Sequence, residues 1–291
     1  MYRLLIVILL FNLNWAIGLK ALMIPQKASI VALSNAGIGS NIDPSINPAS
    51  IAYIKPYLGM SGNTWFADLS GNKSTYLWNS NNTSKYFSLE SIGIDDIEYH
   101  IDNRVEPIGN VEAKWIAVDF AHNINLKQLS NHHIGYNVKL NYSKLHTTRY
   151  WGYTFDLGYL WKINNHFSFG SVIKNIGEEY LGKKSIRINS SIGAGFEYST
   201  SLVQKDKFFI DLNILFDLIN YIDRDIYRLG IITKFPYINL MLGSSYCYNK
   251  YQDFSYGLSF QFDKWMIIFG SLSHENPALG TPTSFEIRKF F

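Results

Sequence analysis

The chain has 291 residues, of which 47% are apolar, 16% aromatic and only 17% charged. So few charges beside so many aromatic residues are unusual for a soluble globular protein. The formal net charge of +3, with Lys and Arg scattered along the chain, does not indicate a nucleic-acid partner. A single cysteine, Cys247, excludes an internal disulfide and a Cys-rich metal site.

The first residues, MYRLLIVILLFNLNWAIG, have the features of a secretory signal peptide. Arg3 supplies the positive charge, Leu4 to Leu13 form the apolar core, and Ala16 to Gly18 suit a cleavage site. This apolar run is shorter than the roughly 20 residues that a membrane-spanning helix needs. No later stretch is apolar for longer, so we expect residues 1–18 to be removed on export. A membrane-embedded mature chain would then have to be a β-barrel.

Residues 19–52 differ in composition from the remainder of the chain. They are rich in small residues, Asn and Pro, and show little alternation of apolar and polar residues. They fit a flexible leader or a small plug folded inside a barrel, with a short helix around Ala28 to Leu33. We expect the plug, with a barrel over residues 53–291.

From Tyr57 onward, stretch after stretch alternates between apolar and polar residues, the period of a β-strand with two different faces. Asp253 to Phe262 alternates over ten residues, which is the length of a tilted transmembrane strand, about 9–11 residues. The hairpin from Tyr150 to Gly177 is predicted to turn at Asn164-Asn165, because Asn tolerates a left-handed backbone. Its first strand is predicted to place these residues on the lipid side: Tyr153, Phe155, Leu157, Tyr159 and Trp161.

One stretch, Phe208 to Ile222, fits a helical stripe as well as a strand, and its alternation favours the strand. If the aromatic faces meet lipid, the opposite faces line a lumen. The predicted luminal residues are Lys139, Asp156, Glu197, Asp211, Asp217, Arg228 and Lys234, with the apolar Leu160, Val172, Ile232 and Met241.

Counting these stretches gives about fourteen strands, an even number as in bacterial outer-membrane barrels. Successive links lie alternately at the two ends of an antiparallel barrel. The shortest links are all predicted at one end and the longest at the other, as expected for short periplasmic turns and long external loops. The links are Asn164-Asn165, Phe235-Pro236 and Asp263-Lys264, then Gly93 to Asn110 and Ile176 to Ser185. The links near His122 to Asn131 and Ser199 to Asp206 are longer than this rule predicts. We therefore expect an all-β, antiparallel transmembrane β-barrel with an N-terminal luminal plug.

The chain ends in SFEIRKFF, with Phe285, Ile287 and Phe291 on one face of a final strand. A last strand that closes on an aromatic residue is typical of the signal read by the outer-membrane barrel assembly machinery. Lys289 interrupts the apolar face, so the match is incomplete.

No set of residues indicates catalysis or a cofactor, and we expect a protein that is not an enzyme. The seven histidines are dispersed apart from the pair His132-His133 near a predicted turn, where a metal site would need further ligands. No nucleophile, phosphate-binding or dinucleotide motif has the right context.

The chain resembles the PorV/PorQ family, relatives of the FadL fatty-acid channels. Its N-terminal motifs match at Ala36-Gly37 and Asn47-Pro48-Ala49, where the tripeptide is interpreted as a structural turn or as a hinge gating a lateral or axial path. The strand motifs D-x-G and x-N-x-G match at Asp156, Gly158, Asn175 and Gly177. Further similarity lies in Ile97-Glu98-Tyr99 with Pro107 and Gly109, and in Leu279-Gly280-Thr281.

The resemblance implies a bacterial outer-membrane barrel that acts in type IX protein secretion, binding translocon, cargo or attachment-complex proteins. The alternative is a FadL-like channel for long-chain fatty acids or other hydrophobic molecules, and a purely structural barrel is a third. The expected partners are outer-membrane lipid, the assembly machinery and secretion proteins or cargo. The candidate protein-binding surface is an acidic loop within Gly93 to Gly109, with Asp95, Asp96, Glu98, Asp102 and Glu106.

Overall fold

The computed structural model describes residues 24–80, 83–99, 109–125, 131–205, 208–221, 224–248, 251–274 and 280–291. The predicted signal peptide lies outside these ranges. The described chain begins with the short helix α1 (Ala28–Val31), which confirms the predicted helix, and a 3-10 helix (Pro48–Tyr53). A second 3-10 helix, Phe66–Asp68, lies between the first two strands. No helix among the described residues is long and apolar enough to cross a membrane.

Within the described residues the wall is built of fifteen strand segments, from Tyr57 onward. They are β1 (Tyr57–Thr64), β2 (Ser70–Ser80), β3 (Thr83–Tyr99), β4 (Gly109–Asn125), β5 (His132–Leu145), β6 (Thr148–Lys162), β7 (Phe167–Leu181), β8 (Lys184–Arg187), β9 (Ser191–Lys205), β10 (Phe208–Tyr221), β11 (Arg224–Lys234), β12 (Ile238–Cys247), β13 (Tyr251–Phe262), β14 (Trp265–Ser273) and β15 (Thr283–Phe290).

The described strands form one closed antiparallel ring in chain order. Each strand pairs with its neighbours in sequence, and β15 pairs with β1 to close the ring. The short β8 pairs with residues 178–181 of β7, and β9 pairs with residues 167–174 of the same strand. Together β8 and β9 therefore make one wall strand. The ring therefore has fourteen strands, which confirms the predicted barrel.

The two faces of the wall show the predicted alternation. On β6, Trp151 and Tyr153 are 64% and 46% exposed, whereas Thr154 and Asp156 between the outward positions are buried. The ambiguous stretch is indeed a strand: in β10, Phe216 faces outward and Asp217 inward. Because the outward band is apolar and the inward face polar, the wall is built for lipid outside and a filled lumen inside.

The turn of the predicted hairpin differs from the sequence-based expectation. The turn at Asn164 is present, but neither Asn164 nor Asn165 has a positive φ. Instead Asn164 Oδ1 accepts hydrogen bonds from the backbone N–H groups of His166 and Phe167, so the side chain makes the turn. Farther along the chain, the strand is interrupted between Arg187 and Ser191, and Ile188 is buried at this break.

The parity rule for links holds only in part. The two-residue link His146-Thr147 joins β5 to β6 at the same end as the long connections 100–108 and 274–282. Short links therefore occur at both ends of the barrel. The expected long turn near Ser199 to Asp206 is instead the end of the β9–β10 hairpin, in which Phe208 pairs with Lys205. We call the end with the longest connections the outer end, because barrels of this kind have short periplasmic turns and longer extracellular loops.

Candidate functional site

The N-terminal segment, residues 24–53, runs across the inside of the described barrel. Nearly every residue from Pro25 to Ile51 is buried or half-buried. Helix α1 packs on β13, β14 and β15, and the 3-10 helix Pro48–Tyr53 packs on β3 to β6. Between these helices, Ser168 of β7 donates to Gly39 O at 2.6 Å. Since these strands are spread around the ring, the segment lies against inward faces on several sides.

One end of the segment is held by charges where β1 and β15 meet, a place called here the seam. Lys27 Nζ donates to Asp43 Oδ2 at 2.7 Å and to Tyr57 Oη of β1 at 3.0 Å. Glu286 Oε2 of β15 accepts from both N and Oγ of Ser29, at 3.1 and 2.9 Å. These side chains are buried, so each charge depends on its partner.

Arg288 completes this seam network. Its Nε donates to Glu286 Oε1 at 2.7 Å and its Nη2 donates to Ser29 Oγ at 2.6 Å. The four charged groups, Lys27, Arg288, Asp43 and Glu286, sum to zero. The network thus ties the N-terminal segment to the first and the last strand at once.

The charges set the protonation of Asp43. Burial alone would raise the pKa of the Asp43 carboxyl, but the nearby Lys27 and Arg288 outweigh it and lower the pKa to about 2. Burial likewise opposes the charge of Lys27, yet Asp43 and the neighbouring tyrosines hold the pKa of Lys27 above its usual range. Both groups are therefore charged at neutral pH.

The tripeptide Asn47-Pro48-Ala49 caps the 3-10 helix. Asn47 Oδ1 accepts from Ala49 N at 3.0 Å, and Asn47 Nδ2 donates to Ile38 O at 2.8 Å and to Tyr159 O of β6 at 3.0 Å. A Cβ on Gly158 would collide with Asn47 Oδ1 and lie 2.8 Å from Pro48 Cδ. The contacts favour the structural interpretation of this motif.

The pair Ala36-Gly37 forms a turn that a single carboxylate holds. Asp217 Oδ2 of β10 accepts from Gly37 N at 2.7 Å, and both its oxygens accept from Ile38 N at 3.1 Å. Gly37 has a φ of +142°, which L side chains rarely adopt, and a Cβ there would lie 2.9 Å from Ser40 Oγ. Asp217 is fully buried and forms no salt bridge with a described residue.

The two strand motifs meet in a β-bulge between β6 and β7. Asp156 of β6 stands opposite two residues of β7, and its Oδ1 accepts from Asn175 N at 2.7 Å. Asn175 has a φ of +59°, which Asn tolerates better than most residues. Gly177 packs against Tyr153 O, where a Cβ has no room. These motif residues therefore build the wall, and the wall bends there.

A second buried charge network lines the lumen on β2 to β5. Lys73 Nζ lies 2.7 Å from Glu90 Oε2 and 3.5 Å from Asp119 Oδ2. Lys139 Nζ lies 3.1 Å from Glu90 Oε1 and 3.4 Å from Asp119 Oδ1. Two lysines and two carboxylates thus neutralise each other, which fits the expected polar lumen.

Beside this network and the N-terminal segment lies a small cavity of about 80 Å³. Its two walls differ in character. Lys174 donates to Ser45 O at 2.6 Å and Arg228 Nη1 donates to Asn35 O at 3.1 Å, but neither forms a salt bridge with a described residue. The apolar part of the lining is one packed cluster of Ile30, Ile38, Ile46, Val172 and Ile219.

Other predicted residues lie apart from this cavity. Asp95 and Glu98 are exposed near the outer end of β3, so part of the predicted acidic loop is strand. Asp96 also lies in β3, whereas Asp102 and Glu106 lie outside the described residues. A partner of these residues stays a prediction.

The last strand has the predicted faces, with Phe285 outward and Glu286 and Arg288 inward. Ile287 is half-buried, and Phe291 is 66% exposed just beyond the strand. Lys289 faces outward with its Nζ 5.4 Å from the centre of the Trp265 ring. Recognition of this strand by the assembly machinery stays a prediction.

The paired histidines separate in the structure. His132 Nδ1 lies 2.6 Å from Tyr159 Oη, whereas His133 packs edge-on against Tyr53 at 4.6 Å between ring centres. Among the described residues no group of three His, Cys, Asp or Glu could hold a metal ion.

Several residues at this site escaped the sequence-based prediction, above all Lys27, Asp43 and Tyr57. A lysine in a stretch of small residues gives no local sign that it is buried. Glu286 and Arg288 do give a sign, since two opposite charges two residues apart share the inward face of one strand.

The architecture defines a class of fold, the closed antiparallel β-barrel that bacterial outer-membrane proteins have. No family model matches the sequence, and no curated protein matches it at a significant level. Solved structures do match the fold. The CymD monoaromatic hydrocarbon channel has a TM-score of 0.63 at 12% identity, over 91% of this chain and 97% of that one.

Two further structures have the same fold. The Pseudomonas putida toluene transporter TodX has a TM-score of 0.62 at 11% identity, over 91% of this chain and 98% of that one. A Pseudomonas aeruginosa FadL homologue has a TM-score of 0.53 at 10% identity, over 91% of this chain and 98% of that one. The chain therefore has the fold of the FadL-like outer-membrane barrels. Membership of the narrower PorV/PorQ family stays a prediction.

Proposed function

We propose that this barrel passes hydrophobic or amphiphilic small molecules across the outer membrane, the alternative in the sequence-based prediction. The observation that carries the proposal is the cavity inside the wall, with Val172 and Ile219 on its apolar side and Lys174 and Arg228 on its polar side. Most of the cavity lining is polar, and an apolar patch beside two cationic groups suits an amphiphilic molecule with an anionic or polar end. The names of the CymD and TodX structures, a hydrocarbon channel and a toluene transporter, point the same way.

In this proposal residues 19–52 act as a plug whose position decides whether the cavity continues through the barrel. Two cavity residues hold the plug by its backbone, Lys174 at Ser45 O and Arg228 at Asn35 O. A polar group that competes for Lys174 and Arg228 would loosen these two contacts. The charged contacts at the seam are made by other residues of the segment, Lys27, Ser29 and Asp43.

The test is uptake of a labelled monoaromatic hydrocarbon and a labelled long-chain fatty acid into vesicles that contain the purified barrel. Val172→Trp would fill the cavity, whereas the neighbouring Ile173→Trp adds the same group on the lipid side, where Ile173 is 37% exposed. We expect the first variant to lose uptake and the second to keep it. Equal uptake by both variants, with both folded by heat-modifiable gel mobility, would refute the proposal.

A secretion role of the PorV/PorQ kind is the second candidate. The observation in its favour is that two separate family motifs meet in one hydrogen bond, between Asp156 and Asn175. If it is right, reversing the exposed charges Asp95 and Glu98 at the outer end of β3 should remove co-purification of translocon or cargo proteins. Unchanged co-purification would refute the role of this surface.

A further inference from the structure

The wall formed by β4, β5 and β6 carries five consecutive outward rows of mainly apolar and aromatic residues. Strand register aligns each row, for example Ile116, Tyr142 and Trp151 across the three strands. The next row toward the outer end is basic instead of apolar: Lys114 pairs with Lys144, and Lys144 pairs with Arg149. Three cations thus stand side by side directly beyond the aromatic row.

The height of the basic row along the barrel corresponds to the level of the lipid head groups. The innermost of the five apolar rows contains Tyr159. Arg149 lies ten residues from Tyr159 on the same strand, a distance of about 33 Å. At a strand tilt of about 40° that is about 25 Å along the membrane normal, the height of the apolar band of such barrels. The row therefore lies where the acyl chains of the outer leaflet end and the head groups begin.

The charges in this row are not all neutralised by the protein. Lys144 forms a salt bridge with Glu112, but Lys114 and Arg149 are exposed and form no salt bridge with a described residue. The next hairpin adds Lys183 and Lys184, both exposed, at its tip. The other side of the barrel has no such row among its described residues, since β10 to β13 place outward at their outer ends Asn220, Asp225, Tyr246 and Gln252.

We propose that this basic row, Lys114, Lys144 and Arg149 with the tip lysines, binds the phosphate groups of an anionic lipid of the outer leaflet. Arg offers a fork of donors that suits phosphate, and Lys offers a point charge. The apolar rows below contact the acyl chains of the same lipid. The surface orients the barrel so that β4 to β8 face phosphorylated lipid and β10 to β13 do not.

The test measures binding of diphosphorylated lipid A, in detergent micelles, to the purified barrel. Lys114→Gln with Arg149→Gln removes two cations and leaves the Lys144–Glu112 pair intact. Lys55→Gln with Lys264→Gln is the matched control, since both lysines are exposed at the inner end. We expect the first double variant to bind the lipid about tenfold more weakly or worse, and the control to bind it as the parent does.

Raising the salt from about 0.05 M to about 0.5 M should weaken parental binding, because exposed charges are screened. Lipid A without phosphates should bind the parent as weakly as the diphosphorylated lipid binds the variant. Unchanged binding by a folded variant, or equal binding of the dephosphorylated lipid, would overturn the proposal. Equally tight binding of inorganic phosphate alone would also overturn it, since the site would then recognise a free ion.

Discussion

Lys27 Nζ lies 2.7 Å from Asp43 Oδ2, and both side chains are almost fully removed from solvent. The pair lies between residues 16 apart in a segment with one short helix, so it also folds the segment back on itself. Tyr57 and Tyr86 contribute their rings, whose centres lie 5.6 and 5.1 Å from Lys27 Nζ. A buried ion pair of this kind is costly to break from one side only.

Lys27→Met should therefore destabilise the barrel by about 3–5 kcal/mol, because it leaves the Asp43 carboxylate buried without its nearest cation. Urea unfolding followed by gel mobility measures the loss. Lys264→Met, at an exposed turn, is the control and should change little. Adding Asp43→Asn to Lys27→Met should restore part of the stability, and no recovery would contradict an effect through the charge.

Acid should weaken the ion pair between Lys27 and Asp43. The folded pKa of Asp43 is lowered to about 2 from an ordinary value of 3.8, so its contribution is complete above about pH 4 and disappears as pH falls toward 2. The size is roughly 2 kcal/mol. Unfolding midpoints between pH 6 and pH 2 measure it, and Asp43→Asn should flatten the part of the curve below pH 4. An identical acid profile in that variant would assign the loss to other carboxyl groups.

Asp217→Asn should loosen the turn at Gly37. One carboxylate oxygen becomes an NH₂ group that faces backbone donors, at a cost of about 1–3 kcal/mol. Hydrogen exchange of the peptide containing Gly37 and Ile38 reads the change locally, and it should accelerate severalfold or more. Asp225→Asn, at an exposed position bonded to Asn220, is the control. Equal exchange in both variants would rule out Asp217 as the holder of this turn.

Gly158→Ala should displace the N-terminal segment, since its Cβ would collide with Asn47 and Pro48. Crowding of this kind typically costs about 1–3 kcal/mol. Gly109→Ala is matched to it, because a Cβ there meets nothing within 4 Å. Urea midpoints compare the two variants, and a loss confined to Gly158→Ala is expected.

The wall could be predicted from the sequence because the pleat of a strand imposes a period of two on any chain with one lipid face. Tyr153 and Phe155 obey that rule without reference to other strands. The N-terminal contacts could not be predicted, since Lys27, Tyr57 and Glu286 meet only when the ring closes. The acidic residues of β3 indicate exposure to solvent but not backbone conformation, so the sequence alone does not distinguish this end of β3 from a loop.

The motif residues show a similar division. Asp156 and Asn175 each belong to a short sequence motif, but the hydrogen bond between them depends on a register shift that neither motif predicts. The cavity is likewise a product of assembly. Val172 is one inward residue of β7, and it becomes part of an apolar wall only where the N-terminal segment brings Ile30 and Ile38 beside it.

The bond from Ser29 to Glu286 joins positions 257 residues apart. It can form only after the last strand, β15, has taken its place beside β1. Until then the first residues of the described chain have no carboxylate from β15 and no neighbouring Arg288. The N-terminal segment therefore gains these contacts only when the last strand has formed, and formation of β15 fixes helix α1 in place.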